Sequence, residues 1–192
     1  DCSTDNTADD IGNQFNILKL PVNLGIGGAV QAGYLFADEN DFDIAIQVDG
    51  DGQHKPEDIL KLVNHLVISN TDMVVGSRFI ENVTYTPPLA RRVGMAFSRG
   101  LLYLGTGTRV EDTTSGFRAI NRKLISFFAR NYTTTFAGVI PLAMLLKNGY
   151  KLEEIPAQFE YRTHGKSSIN FLKSIYYPLQ TTISLLGVLI RK

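Results

Sequence analysis

One apolar run, Ile44-Ala45-Ile46-Gln47-Val48, leads straight into Asp49-Gly50-Asp51-Gly52-Gln53-His54, and Pro56 follows almost at once. The run is short and rich in β-branched residues, so it reads as a buried strand. Pro56 suits the first position of a helix, whose missing N–H costs nothing there. A buried strand passed to a helix through an acidic turn points to alternating α/β layers. In such sheets, ligands sit at the carboxyl ends of the strands. Glycine after each Asp lets the backbone turn and approach a ligand closely. Two carboxylates so placed suit a hard divalent cation that keeps phosphate or water as its other ligands. D-G-D-G is also a plain turn sequence, and on these residues alone both readings stand. An EF-hand loop is excluded, because Lys55-Pro56 interrupt its pattern of oxygen ligands.

The remaining chain continues the alternation. Asn16–Leu20 is a short strand candidate, and Gly25-Ile26-Gly27-Gly28 opens a helix to about Ala37. That glycine cluster is not a dinucleotide fingerprint, because Val30 stands where the last small residue is needed. Asp43–Val48 is the strand before the acidic turn. A helix over Pro56–Ser69 is expected to bury Ile59, Leu60, Leu62, Val63 and Leu66. Met73–Val75 is a buried strand ending in Gly76-Ser77-Arg78, and Leu89–Leu104 a helix. Glu111–Ile120 reads as turn-rich. Arg122–Ala129 and Val139–Asn148 are helices, the second closed by Gly149. Lys151–Tyr161 is a strand interrupted by Pro156, hence at an edge. Ser168–Arg191 is a long final helix with a bend expected at Pro178. The fold class is therefore α/β, a mostly parallel central sheet with helices on both faces. The polar turn Asp1–Thr7 has no strand before it, so a piece lacking its first strand and helix is expected.

At 192 residues, 44% hydrophobic and 20% charged, the chain is globular rather than disordered. Formal net charge is zero, but the charges are segregated. Residues 38–58 carry eight acids and one Lys. Residues 82–110 carry four Arg and no acid; residues 161–192 carry five Lys or Arg and no acid. A basic face beside an acidic, metal-binding one suits a phosphorylated substrate. No basic-aromatic repeat points to nucleic acid. Cys2 is the single cysteine, which excludes an internal disulfide and fits a reducing compartment. No uninterrupted apolar run is long enough to span a bilayer, and no signal peptide is visible.

Five motifs stand in order: Asp1-Cys2-Ser3-Thr4-Asp5-Asn6-Thr7; Asn23 with Gly25-Ile26-Gly27-Gly28; Asp49-Gly50-Asp51-Gly52-Gln53-His54; Asp112-Thr113-Thr114-Ser115-Gly116-Phe117-Arg118; and Arg162-Thr163-His164-Gly165-Lys166-Ser167-Ser168. Together they resemble the family 2 glycosyltransferases of GT-A fold, nearest the dolichyl-phosphate mannose synthase-like branch that glycosylates polyprenyl phosphates. The resemblance implies a catalytic domain over residues 1–168, truncated at its start, and an amphipathic, membrane-associated helix over 169–192. It implies that Asp1 and Asp5 line the nucleotide pocket. Asp51 would bind Mg²⁺ or Mn²⁺, with Asp49 on the metal or the ribose, and Gln53 would touch the diphosphate region or the sugar. Asp112 would lie near the transferred sugar. Ser115 and Arg118, with Arg91 or Arg92, would meet the acceptor phosphate, and Arg162 and Lys166 would close over the donor diphosphate. His54 reads as a supporting group rather than a ligand. Two family features are absent: the P-x-x-N-E stretch before the first motif, and an acid near Thr135–Val139.

The implied reaction moves a sugar from a UDP- or GDP-linked donor to a polyprenyl phosphate, with inversion, at the cytoplasmic face of a membrane. The leaving group is a diphosphate, whose developing charge a cation and fixed Arg and Lys side chains would stabilise. The acceptor phosphate is already anionic, so the reaction needs positioning more than a base. Tyr176, Tyr177, Ile183, Leu185, Leu186, Val188 and Leu189 are the expected lipid-facing set. Three competitors remain: transfer to a sugar hydroxyl in polysaccharide assembly, with Asp112 as base; nucleotidyl transfer; and a nucleotide-sugar-binding domain without activity.

Overall fold

The computed structural model describes residues 1–3, 15–80, 89–133, 138–160 and 171–190; for 89–91 and 171–179 only the backbone is described. Among the described residues, six helices and four strands follow one another as α1 (Gly25–Glu39), β1 (Ile44–Gln47), α2 (Pro56–Ser69), β2 (Met73–Ser77), α3 (Leu89–Thr106), β3 (Arg118–Asn121), α4 (Arg122–Asn131), α5 (Val139–Lys147), β4 (Leu152–Pro156) and α6 (Phe171–Ile190).

The strands form one sheet in the order β1-β3-β2-β4. β2 and β4 pair in parallel, with Met73 opposite Leu152 and Val75 opposite Glu154. β3 runs antiparallel to both β1 and β2. Three strands thus share the expected direction, while the fourth is inserted against them and separates β1 from β2. β3 begins inside the stretch read as turn-rich and ends one residue past it. Its four residues are too few for periodicity to announce a strand, and pairing on both sides makes it one. Asn16–Leu20, expected as a strand, pairs with none among the described residues.

Period-two alternation divides the core. On one face of the sheet Met73, Val75 and Ile120 pack with Tyr34, Leu124, Phe128, Leu142 and Leu185. On the other, Val74, Ala119 and Phe117 pack with Leu62 and Leu66 of α2. Each fully buried Leu there contributes roughly 2 kcal/mol. Leu60 departs from expectation: it is 67% exposed, because the buried stripe follows 59, 62, 63 and 66 and leaves it on the opposite side.

Local chemistry sets the element ends. Pro56 sits at the start of α2, and Asn70, with φ 52°, closes it. The Asn121 side chain accepts the Leu124 N–H at 3.1 Å and caps α4 directly after β3. Gly149, with φ 79°, ends the turn after α5.

α6 is built into the core rather than appended to it. Leu185 is fully buried, Val188 and Leu189 pack inward, and the Lys147 ammonium donates to the carbonyls of Val188 and Leu189. This corrects the lipid-facing set: Leu185, Val188 and Leu189 face the protein, whereas Ile183, Leu186 and Ile190 are exposed. The side chains of Tyr176 and Tyr177 lie outside the described residues.

Candidate functional site

β1 delivers Asp49 to the sheet end, where the chain turns through Gly52 at φ 75°. The turn is braced from below. The Asp49 N–H donates to His54 Nδ1 at 3.1 Å. His54 is buried, stacked on Phe117 at 4.6 Å and 12°, and met edge-on by Phe159 at 5.0 Å. Burial pushes its pKa down, against the pull of Asp49 and Asp51, and the Arg78 charge adds to the lowering. With Nδ1 as acceptor and its proton on Nε2, neutral His54 supports the turn, as the sequence suggested.

Asp51 Oδ1 accepts the Gln53 N–H at 3.1 Å, an Asx-type closure. Gln53 in turn clips the turn to the chain after β4. Its amide donates to the Glu160 carbonyl at 3.1 Å, and the Glu160 N–H donates back to the Gln53 carbonyl at 2.9 Å. Gly116 lies against Asp49; a Cβ there would stand 3.1 Å from both carboxylate oxygens. Asp49 is exposed and Asp51 half-buried. Among the described residues no group of three or more His, Cys, Asp or Glu gathers for a metal. Two hard carboxylates at an open turn fit Mg²⁺ or Mn²⁺ shared with substrate phosphates, not an all-protein cage.

The second cluster lies on the loop from Glu111 to Phe117. Asp112 has no exposed surface. Its Oδ2 accepts from Arg78 Nε at 2.7 Å and from the Arg78 backbone N–H at 3.1 Å. Its Oδ1 accepts from Arg78 Nη2 at 2.7 Å and from Thr114. Burial pushes this carboxyl up, but the Arg78 hydrogen bonds and charge outweigh it and hold the pKa below the ordinary range. In this arrangement the acceptor positions of the Asp112 carboxylate are taken up by Arg78 and Thr114.

Ser115 and Arg118 do not present a surface to an acceptor. The Ser115 hydroxyl donates to the Gly76 carbonyl at 2.7 Å and accepts the Phe117 N–H at 3.2 Å. Arg118 is 1% exposed and donates to the carbonyls of Ser115 and Gly138, at 2.8 and 2.9 Å. It lies on the sheet face of Ile120, two residues on, away from Phe117 and His54. Their roles in this structure are to brace the loop. Arg92 is exposed on the first turn of α3.

Asp1 and the Asn23-Gly25 motif come together: Asp1 Oδ1 accepts the Leu24 N–H at 2.6 Å, and Asn23 Oδ1 accepts the Gly25 N–H at 3.0 Å, where α1 begins. Asp5, Arg162, Lys166 and the Arg91 side chain lie outside the described residues. Arg162 follows Glu160 by two positions in sequence, and Glu160 is bonded to Gln53.

Sequence reasoning gave no role to Arg78, Glu154, Phe117 or Phe159. Arg78 carried a signal, since it follows directly on a buried strand, the position at which α/β folds place ligands. The rings of Phe79 and Phe159 lie 5.6 and 5.2 Å from its guanidinium carbon. Glu154 carried none, being one of two adjacent Glu residues on an edge strand.

Residues 1–128 match the model for glycosyl transferase family 2. The chain is 33% identical over 151 residues to an uncharacterised protein of Methanocaldococcus jannaschii, covering 76% of this chain and 61% of that one. It is 30% identical over 154 residues to the UDP-N-acetylglucosamine–dolichyl-phosphate N-acetylglucosaminyltransferase of Methanococcus voltae, covering 77% and 60%. It is 24% identical over 166 residues to the polyprenol monophosphomannose synthase of Mycolicibacterium smegmatis, covering 82% and 61%. The chain thus spans about three fifths of the length of these relatives. Its mixed sheet between helical layers, its acidic turn at a strand end and the match over two thirds of its length agree, and the chain belongs to glycosyl transferase family 2 of GT-A fold.

Proposed function

We propose that the protein is an inverting, metal-dependent glycosyltransferase that moves a sugar from a nucleoside diphosphate to a polyprenyl phosphate. The observation that carries the reading is the braced acidic turn. Asp49 and Asp51 stand at the end of β1, fixed by His54 beneath and by Glu160 alongside. The acceptor class rests on relatives named for it: the dolichyl-phosphate enzyme of Methanococcus voltae, the polyprenol enzyme of Mycolicibacterium smegmatis, and the undecaprenyl-phosphate mannosyltransferase of Micrococcus luteus.

Asp51 and Asp49 would hold Mg²⁺ or Mn²⁺, which supplies neutralisation of the departing diphosphate. Asp1 and Asp5 bind the nucleotide, and Gln53 keeps the turn closed beside it. Arg162 and Lys166 add fixed positive charge over the diphosphate. Arg91 and Arg92 receive the acceptor phosphate, whose oxygen attacks the anomeric carbon opposite the leaving group and inverts it. The acceptor arrives as an anion, so no side chain has to remove a proton. Asp112, Ser115 and Arg118 keep the supporting loop in shape.

The lipid acceptor places the enzyme at a membrane surface. No described helix is long and apolar enough to cross one. α3 and α6 pack against each other, and each shows an exposed apolar row: Val93, Phe97 and Leu104 on one, Ile183, Leu186 and Ile190 on the other. Such rows suit peripheral seating at the cytoplasmic face.

The test is calorimetric titration of UDP and GDP, with and without Mn²⁺, followed by transfer of labelled sugar to a short polyprenyl phosphate. Metal-dependent binding of one nucleotide is expected. Asp51→Ala should weaken that binding about a hundredfold and abolish transfer. Metal-dependent transfer retained in Asp51→Ala would sink the metal assignment.

A further inference from the structure

The proposed transfer leaves one carboxylate of this region without a role. Glu154 lies on β4, in register with Val75. Its two oxygens accept successive peptide N–H groups from another segment, Glu111 at 2.6 Å and Asp112 at 2.8 Å. The Ser77 hydroxyl bonds to it as well. The Glu111 side chain is occupied elsewhere, with Arg99 of α3 and with Arg109. Glu154 therefore grips the loop by its backbone.

That grip lies directly behind the Asp112–Arg78 pair. The Asp112 N–H is fixed by Glu154, and its carboxylate meets Arg78 Nε and Nη2 at 2.7 Å each. The guanidinium then lies 5.2 Å from the Phe159 ring, which meets His54, which accepts the Asp49 N–H. Glu154 and Phe159 belong to one stretch of chain, so the same segment holds the pair at its back and lies against its face. A two-pronged Arg–carboxylate contact has a rigid fork geometry, and a tilt of Asp112 strains both prongs together.

We propose that Glu154 is a positioning residue, which sets the plane of the Arg78 guanidinium by holding the Glu111 and Asp112 amides. Glu154→Gln keeps the shape but turns an NH₂ donor toward an N–H donor. Glu154→Asp keeps the charge but is one methylene too short to span both amides.

The measurement is hydrogen exchange of the Arg78 Nε–H, read by NMR on the full 192-residue chain. Glu154→Gln should speed that exchange about tenfold, while the backbone amides of β2 stay protected. Asp112→Asn should speed it also, and the double variant should exchange no faster than Asp112→Asn alone. Should Glu154→Gln not fold, Glu154→Asp is expected to give the same loss and carries the test. Unchanged Arg78 exchange in the folded variant, or effects of the two substitutions that multiply, would overturn the assignment. A second arm rests on the transfer proposed above: Glu154→Gln should lower kcat for transfer with the nucleotide Kd unchanged. Failure of the wild-type chain to transfer sugar would count against that reading alone, since the exchange result decides Glu154 by itself.

Discussion

At Asp112 a carboxylate with no exposed surface stays charged because Arg78 surrounds it with donors. A depressed folded-state pKa contributes stability that is present above the ordinary carboxylate range and is lost as pH falls from there through the lowered value. Glu154, pushed up by burial despite the Glu111, Asp112 and Ser77 hydrogen bonds, works in the opposite sense. Asp112→Asn leaves Arg78 without its charged partner. It should cost about 3 kcal/mol at neutral pH. Urea titrations at a series of pH values should also show a flatter loss of stability below about pH 4 than in the wild type. Gly116 gives a second prediction. A methyl group there would press on both oxygens of Asp49. Gly116→Ala should weaken metal-dependent nucleotide binding about tenfold or more while the melting temperature moves little, which calorimetry and thermal scanning can separate. The sequence located the turn of Asp49 and Asp51 at a strand end and the supporting place of His54, because spacing and turn chemistry are local. It missed Arg78 as the partner of Asp112, since 34 positions separate them and only the folded sheet brings them together.

Elements whose ends carry their own chemistry matched expectation closely. α2 begins at Pro56 and ends at Ser69, and α5 stops just before the Asn148-Gly149 turn. β3 and Asn16–Leu20 show the opposite. Four residues held between two strands have no period to read, and an alternating segment does not announce whether a partner exists. Two substitutions test how the elements are held. Asn121→Ala removes the cap of α4 and should cost about 1 kcal/mol by chemical denaturation. Gly76→Ala on β2 would place a methyl 2.7 Å from Phe117 and 2.9 Å from the Ala157 Cβ. Overpacking of this kind should cost about 1–3 kcal/mol, and a variant as stable as the wild type would show that Phe117 and Ala157 yield there easily.

For the whole molecule, α6 is a core element along one side and leaves an apolar row exposed along the other. Leu185 is fully buried while Ile183, Leu186 and Ile190 are exposed. Leu185→Ala should destabilise the fold by about 2–5 kcal/mol. Replacing Ile183 and Leu186 by Glu should leave the melting temperature nearly unchanged and lower sedimentation with anionic vesicles. Equal sedimentation of that variant and the wild type would refute membrane seating on this face. The sequence by itself determined the alternation of helix and strand, the acidic turn at the end of β1 and the segregation of charge, because each is written in neighbouring residues. Only the tertiary structure decided that β3 enters against the other strands, that Leu185 turns inward, and that Asp112, Ser115 and Arg118 are buried and bonded to their own loop and its neighbours. Those outcomes depend on which distant groups compete to bury a side chain or satisfy a hydrogen bond, and no local pattern records that competition.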